Sequence, residues 1–366
     1  MTKRIIGAAG LALACVAFLG NGVASAGTGW KIQPTPNPSR NAQLNGVSCS
    51  ALNACTAVGV SSGGKTLAER WNGVRWQLQS TPNPASPGQD LLAVACPRAT
   101  DCIAVGSTDE SLRTLIEQWN GRTWRIQVAA TGRPGELNAV SCSSPSACTA
   151  VGSVPFNGVL AERWNGRTWT TEKVVSPTND SGLNGVSCPT ATDCTAVGST
   201  AVGGGTFAEQ WTAGRWKLQA TKSPSGFSSL DAVSCSSPGA CTATGYFQTA
   251  QALKQTLAER WNGHGWAIQR TPKSTGGANA INAELAGVWC PSSGDCMATG
   301  YGLTVGRQVL AEHWSRNRWT VLPAPNPPDT TNSQFSGVWC VSPGDCVAVG
   351  YYGTVLGATK TLAERH

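Results

Sequence analysis

The alternation of apolar and polar residues is short-ranged and recurs along the whole chain. In Thr66-Leu67-Ala68-Glu69-Arg70-Trp71, strand geometry places Leu67, Glu69 and Trp71 on one side and Ala68 and Arg70 on the other. Close copies stand at Leu160-Ala161-Glu162-Arg163-Trp164 and Leu257-Ala258-Glu259-Arg260-Trp261, and the last one is Thr361-Leu362-Ala363-Glu364-Arg365-His366. Around each copy the pattern predicts three more strands. One resembles Leu44–Ser48 and ends at a cysteine, the next resembles Thr56–Gly59 and starts from a second cysteine, and the last begins at Trp76 and runs through Gln79. Asn72-Gly73 separates the third and fourth strands and returns as Asn120-Gly121, Asn165-Gly166 and Asn262-Gly263. That dipeptide predicts a tight hairpin, because both residues tolerate positive φ. Thr212-Ala213-Gly214 and Ser315-Arg316-Asn317 depart from it.

The cysteines fix the period. With Cys15 set aside, they form Cys49/Cys55, Cys96/Cys102, Cys142/Cys148, Cys188/Cys194, Cys235/Cys241, Cys290/Cys296 and Cys340/Cys346, seven C-x5-C units. Four steps of 46 or 47 residues are followed by steps of 55 and 50, the period of propeller blades. Four strands per period also suit an open solenoid, but an open array needs atypical caps at both ends. Here the ends are complementary. Trp30-Lys31-Ile32-Gln33-Pro34-Thr35-Pro36-Asn37-Pro38 matches Trp76-Gln77-Leu78-Gln79-Ser80-Thr81-Pro82-Asn83-Pro84, the half that His366 leaves missing. The expected fold is therefore all-β: one domain over residues 27–366, a seven-bladed β-propeller with four antiparallel strands per blade. Its last blade joins residues 335–366 to an amino-terminal strand around Trp30–Gln33. The closure resembles that of WD40-type propellers. The Trp-Asn-Gly-x-x-Trp turn is similar to the Asp-box of BNR repeats in sialidase-like propellers, with Asn in the Asp place and no leading Ser or Thr. The resemblance spans residues 30–366 as architecture and implies no particular enzyme.

Residues 1–26 read as an export signal: Lys3 and Arg4, an apolar run from Ile5 to Gly20, and Ala24-Ser25-Ala26 before Gly27. The run is short for a membrane span of about 20 residues, so no span is expected after cleavage. Loss of Lys3 and Arg4 lowers the formal charge from +7 to +5, and no cluster of basic residues suggests nucleic acid. In an exported chain the seven pairs read as seven disulfides, each contributing roughly 2.4 kcal/mol by chain entropy. Metal is not expected, because C-x5-C is not a zinc spacing and the histidines are only His264, His313 and His366. No cofactor is predicted, and the expected state is a monomer.

Groups present in every repeat read as structure. Glu69, Glu117, Glu162, Glu209, Glu259, Glu312 and Glu364 are expected to accept hydrogen bonds, at a turn for instance; Asp101, Asp193, Asp295 and Asp345 to shape turns; and pairs such as Trp71 and Trp76 to pack between blades. Departures from the repeat carry more information. After the glycine of the second strand stand Val60, Ser107, Ser153 and Ser199 in four blades, but Tyr246, Tyr301 and Tyr351 in the last three, with Tyr352 next. These are all four tyrosines. They open the loops between second and third strands, on the face that holds the loops and linkers of variable length, where rigid scaffolds present function. Trp289 and Trp339 replace a small residue at the end of the first strand, towards the opposite face, and read as packing. No H-E-x-x-H or G-x-S-x-G is present. The sequence points to an exported, disulfide-stapled platform at or outside the cell envelope, binding a glycan or an extracellular protein around Tyr246, Tyr301, Tyr351 and Tyr352. A secreted carbohydrate-active enzyme, sialidase-like or lyase, and a purely structural envelope protein are the other readings, since the fold hosts all three.

Overall fold

The computed structural model describes residues 29–83, 88–108, 113–130, 134–200, 204–224, 226–272, 282–303, 306–342 and 344–366. The predicted export signal lies outside the described residues, as do parts of the variable loops and linkers, 273–281 being the longest. The chain forms seven four-stranded antiparallel sheets. In the first blade the order is Ala42–Ala51, Ala54–Ser61, Lys65–Trp71 and Trp76–Gln79. The seventh combines Thr330–Ser342, Asp345–Thr354 and Thr359–Arg365 with Lys31–Gln33, paired Lys31 to Arg365 and Gln33 to Ala363. The complementary ends thus meet as one blade. In it His366 stands where other blades carry a tryptophan, its ring 5.4 Å from Trp30.

Every inner strand bends at the same place. Leu44 pairs with Gly59 and Gly46 with Val58, leaving Asn45 as a bulge, and the shift recurs in all seven blades. The bulge brings the inner strand against the glycine opposite. A Cβ at Gly59, Gly106, Gly152, Gly198, Gly245, Gly300 or Gly350 would lie 1.9–2.1 Å from a carbonyl oxygen of that strand. Beside the bulge Leu44, Leu91, Leu137, Leu183, Leu230, Leu285 and Phe335 are fully buried.

All seven predicted disulfides are formed, each across a first-to-second-strand hairpin: Cys49–Cys55, Cys96–Cys102, Cys142–Cys148, Cys188–Cys194, Cys235–Cys241, Cys290–Cys296 and Cys340–Cys346. Such a set suits an oxidising compartment. Within each pair the second cysteine is uniformly buried. The second ones, Cys55, Cys102, Cys148, Cys194, Cys241, Cys296 and Cys346, are only 0–2% exposed, so they belong to the frame and offer no surface to a ligand. The cause is their place in mid-sheet. Six of them pair with the third-strand tryptophan, as Cys55 does with Trp71 and Cys148 with Trp164, while Cys346 accepts the backbone N–H of His366. Threonines of the preceding blade close over four of them, 3.5–3.7 Å from the sulfurs of Cys102, Cys194, Cys241 and Cys296.

The paired tryptophans face each other across a hairpin, as Trp71 and Trp76 do with ring centroids 5.8 Å apart, and they also pack between blades as expected: Trp119 and Trp124 share a core with Val58 and Ala68 of the preceding blade, and Trp124 Nε1 donates to Gln79 at 2.9 Å. An arginine of the preceding blade adds to that contact, as where Arg70 lies over Trp119 and Arg163 over Trp211. The repeated glutamates sit in mid-strand rather than at a turn and are fully buried. Glu162 and Glu259 accept the backbone N–H groups of Ala130 and Lys222, in the linker after the preceding blade, both at 3.0 Å.

The Asn-Gly turns also differ from expectation. Only Gly73 has positive φ, and Asn72 acts through its side chain, accepting the N–H groups of Val74 and Arg75 at 3.0 Å. The two departing turns, Ala213-Gly214 and Arg316-Asn317, are the ones with positive φ at both residues. Among the predicted turn aspartates, Asp101, Asp193 and Asp345 accept nearby hydroxyls, whereas Asp295 meets His313 at 3.0 Å.

Candidate functional site at the variable-loop rim

At the variable-loop end of the channel each blade contributes one inner-strand residue, just before the buried Leu or Phe, and the second-strand residue opposite it. The pairs are Gln43/Val60, Asp90/Ser107, Glu136/Ser153, Gly182/Ser199, Ser229/Tyr246, Glu284/Tyr301 and Gln334/Tyr351. Three adjacent blades therefore present a phenol where four present a small side chain.

The phenols are joined by charged residues from the strands beside them. Tyr246 stacks on Phe227, ring centroids 6.1 Å apart, and carries the Lys254 ammonium 3.6 Å above its centroid. Lys254 Nζ donates to Glu284 Oε2 at 2.7 Å, and Tyr301 donates to the same oxygen at 3.2 Å. The Arg307 guanidinium lies 4.0 Å from the centroid of Tyr301 and donates to Gln334, the partner of Tyr351 across the sheet. Tyr246 and Tyr301 thus belong to one connected run over blades five and six that reaches Gln334, across the strand pair from Tyr351; Tyr301 is itself only 9% exposed and supports the run from beneath, while Tyr246 and Tyr351 are half-buried. Tyr352 packs against the apolar core of the seventh blade.

Burial, reinforced by the Glu284 charge, raises the Tyr301 phenol above its ordinary value, and burial raises Tyr246 as well. Both hydroxyls are hydrogen-bond donors at neutral pH. Burial works against the Lys254 ammonium, but the hydrogen bond and charge of Glu284 more than offset it and raise its pKa. Asp231 occupies the bulge position, where Asn45, Asn138 and Asn184 donate to carbonyl oxygens of the next blade at 2.9–3.1 Å. Burial, then the charge of Glu284, pushes Asp231 up to about 7. Asp90 and Glu136, on the same rim, are also raised, chiefly by burial.

The sequence marked the tyrosines and missed Lys254, Glu284, Arg307 and Asp231. A signal existed for two of them: at the positions equivalent to Asn45 and Gln43, aligned repeats hold Asp231 and Glu284. Lys254 and Arg307 stand at the start of third strands after loops of unequal length, where repeats do not align. Among the described residues no group of three or more His, Cys, Asp or Glu is placed to hold a metal, and no helix is long and apolar enough to cross a membrane.

No protein-family model and no curated protein sequence matches the chain. Solved structures do. YCF48 from Cyanidioschyzon merolae is similar at 12% identity, with a TM-score of 0.58, over 92% of this chain and 98% of that one. A structure of YCF48 bound to D1 peptide matches at 11% identity and a TM-score of 0.57, over 92% and 94%. A chain of the Mitotic Checkpoint Complex matches at 11% identity and 0.56, over 91% and 93%. These likenesses are of fold, and they agree with the seven blades.

Proposed function

We propose that this chain is an exported binding platform at or outside the cell envelope. Its ligand, a glycan or an extracellular protein, docks on the variable-loop face around Tyr246, Tyr301, Tyr351 and Tyr352. The observation that carries the reading is the continuous run Phe227–Tyr246–Lys254–Glu284–Tyr301–Arg307–Gln334, built where the sevenfold repeat is broken. The frame does not need it, since four blades close with Val60, Ser107, Ser153 and Ser199 instead. Cations already cover one face of Tyr246 and of Tyr301, which favours a protein segment bound by hydrogen bonds and ion pairs over a sugar stacked on the phenols. Aromatic side chains joined to arginine are the usual anchors of protein interfaces.

The test is selection of peptides from a random displayed library on the protein, with a glycan array in parallel. Binding of the selected peptides is then measured to Lys254→Ala/Arg307→Ala. Peptides that bind the wild type and lose roughly tenfold or more on the double variant support the reading. Peptides that bind both equally, or none selected at all, refute it.

A further inference from the structure

The opposite end of the channel carries a second departure from the repeat. The residue before the first cysteine of each pair is Ser48, Ala95, Ser141, Ser187, Ser234, Trp289 and Trp339 in turn. In four blades it is an interblade latch: the hydroxyls of Ser48, Ser141, Ser187 and Ser234 accept the backbone N–H of Cys96, Cys188, Cys235 and Cys290, each at 2.9 Å. The residue opposite on the second strand is then a threonine beside the next disulfide, as Thr56 is at 3.7 Å from Cys102 Sγ. In three blades both positions are apolar: Ala95 faces Ile103 in the second, Trp289 faces Met297 in the sixth and Trp339 faces Val347 in the seventh, and only the last two carry an indole.

The two tryptophans do different things. Trp339 is 9% exposed and packs into the core of the first blade with Cys49 and Trp71, so it is a filler. Trp289 leans on Trp339, centroids 5.8 Å apart at 39°, yet stays 36% exposed. Its indole forms a wall of a cavity of about 390 Å³ lined by the inner strands of all seven blades. That volume lies within the range of about 300–1,000 Å³ typical of small-molecule pockets. Around the rest of the wall stand Ser48, Ser50, Ser141 and Ser187, separated by valines, with Ser234 only 4% exposed; the latch hydroxyls accept from cysteine N–H groups and keep an O–H to donate. Among the described lining residues none is charged.

We propose that this cavity is a binding site for a neutral pyranose ring, stacked by its apolar face on Trp289 with its hydroxyls towards the serines. An exposed indole face suits the C–H face of a sugar, and a ring of uncharged hydroxyls matches the sugar's edge. Among the described residues no charged side chain lines this end of the channel, and the adjoining stretch that Trp289 also borders holds only Asp231, which argues against phosphates and carboxylates. A packing role accounts for Trp339 but not for an indole left open beside it. The site lies at the other end of the channel from the tyrosine rim and does not rest on the reading given for that rim.

The test is saturation-transfer NMR of the protein with cellobiose, maltose and N,N′-diacetylchitobiose, comparing wild type, Trp289→Ser, Trp289→Phe and Lys254→Ala/Arg307→Ala. Trp289→Ser installs the residue that four other blades carry, and Trp289→Phe keeps a smaller aromatic face. The expected result is ring-proton saturation of at least one sugar, weakened roughly tenfold or more in Trp289→Ser. The phenylalanine variant should fall in between, and the rim variant should bind unchanged. Saturation of none of the three sugars, or binding unchanged in Trp289→Ser, would overturn the proposal. Binding lost only in the rim variant would also overturn it, placing the sugar on the other face.

Discussion

Blades one to four and blades five to seven share one frame and differ at the two ends of the channel. On the variable-loop rim, Val60, Ser107, Ser153 and Ser199 give way to Tyr246, Tyr301 and Tyr351. At the disulfide end the boundary falls one blade later: Ser234 of the fifth blade still latches Cys290, and Trp289 and Trp339 stand in the last two blades, Ala95 of the second being the other position without a serine. The frame itself does not change across that boundary: Gly198 and Gly300 meet the same bulged strand, and Glu209 and Glu312 are equally buried. Residues that hold the ring are thus repeated, and residues free to acquire another use are concentrated in one sector. Position in the blade alone does not single out a side chain for a role beyond the frame; departure at a position the frame leaves free is the observation on which the proposed sites rest.

The largest expected effect tests the frame. Burial raises Glu69, Glu117, Glu312 and Glu364 from 4.5 to about 8 and Glu209 to about 7. Between the unfolded and folded values the native state holds more protons than the unfolded chain. The stability these groups contribute is therefore fully present below about 4.5 and is lost as pH rises through about 8. Each of the more strongly shifted groups accounts for on the order of 3 kcal/mol by neutral pH. Urea midpoints should fall steadily from acid to alkaline pH, and Glu364→Gln should flatten the slope. A midpoint that rises over that range would show that these carboxyls are ionised partners instead.

Next in size, Gly198→Ala and Gly300→Ala should each cost about 3 kcal/mol or more, because the added carbon meets backbone rather than a movable side chain. Equal losses by urea denaturation mean that one frame runs through both sectors; a tolerated Gly300→Ala would break the comparison. Trp339→Ser should cost about 3 kcal/mol as a buried filler. Trp289→Ser should stay within about 1 kcal/mol, since a half-open indole is replaced by a residue the frame accepts elsewhere. Smallest of all, Lys254→Ala should change stability by about 1 kcal/mol or less, its ion pair with Glu284 being partly exposed.

What the sequence made legible was local or repeated: strand alternation, the equal cysteine spacing, and the split repeat that Lys31 and Arg365 join. Less legible were contacts between blades. Glu162 gives no sign in its own strand that Ala130, in the linker after the preceding blade, will donate to it. Nor does the C-x5-C spacing tell that Cys194 is sealed under Thr149 of the blade before. The Asn-Gly turns misled because dipeptide preference addresses φ, whereas Asn72 works through its side-chain oxygen. At the rim, Lys254 and Glu284 are 30 residues apart and meet only because adjacent blades stand side by side. Trp289 and Trp339 occupy equivalent positions, and only the closed ring shows that one is filler and the other open.

The most direct test of the central claim, that one sector of the variable-loop rim is the binding surface, is a titration of a selected peptide against two variants. One alters the irregular rim, Lys254→Ala/Arg307→Ala, and the other the regular rim, Ser107→Ala/Ser153→Ala. The expected result is a loss of roughly tenfold or more on the first and unchanged affinity on the second. Equal affinities for both, or a loss confined to the serine variant, would contradict it.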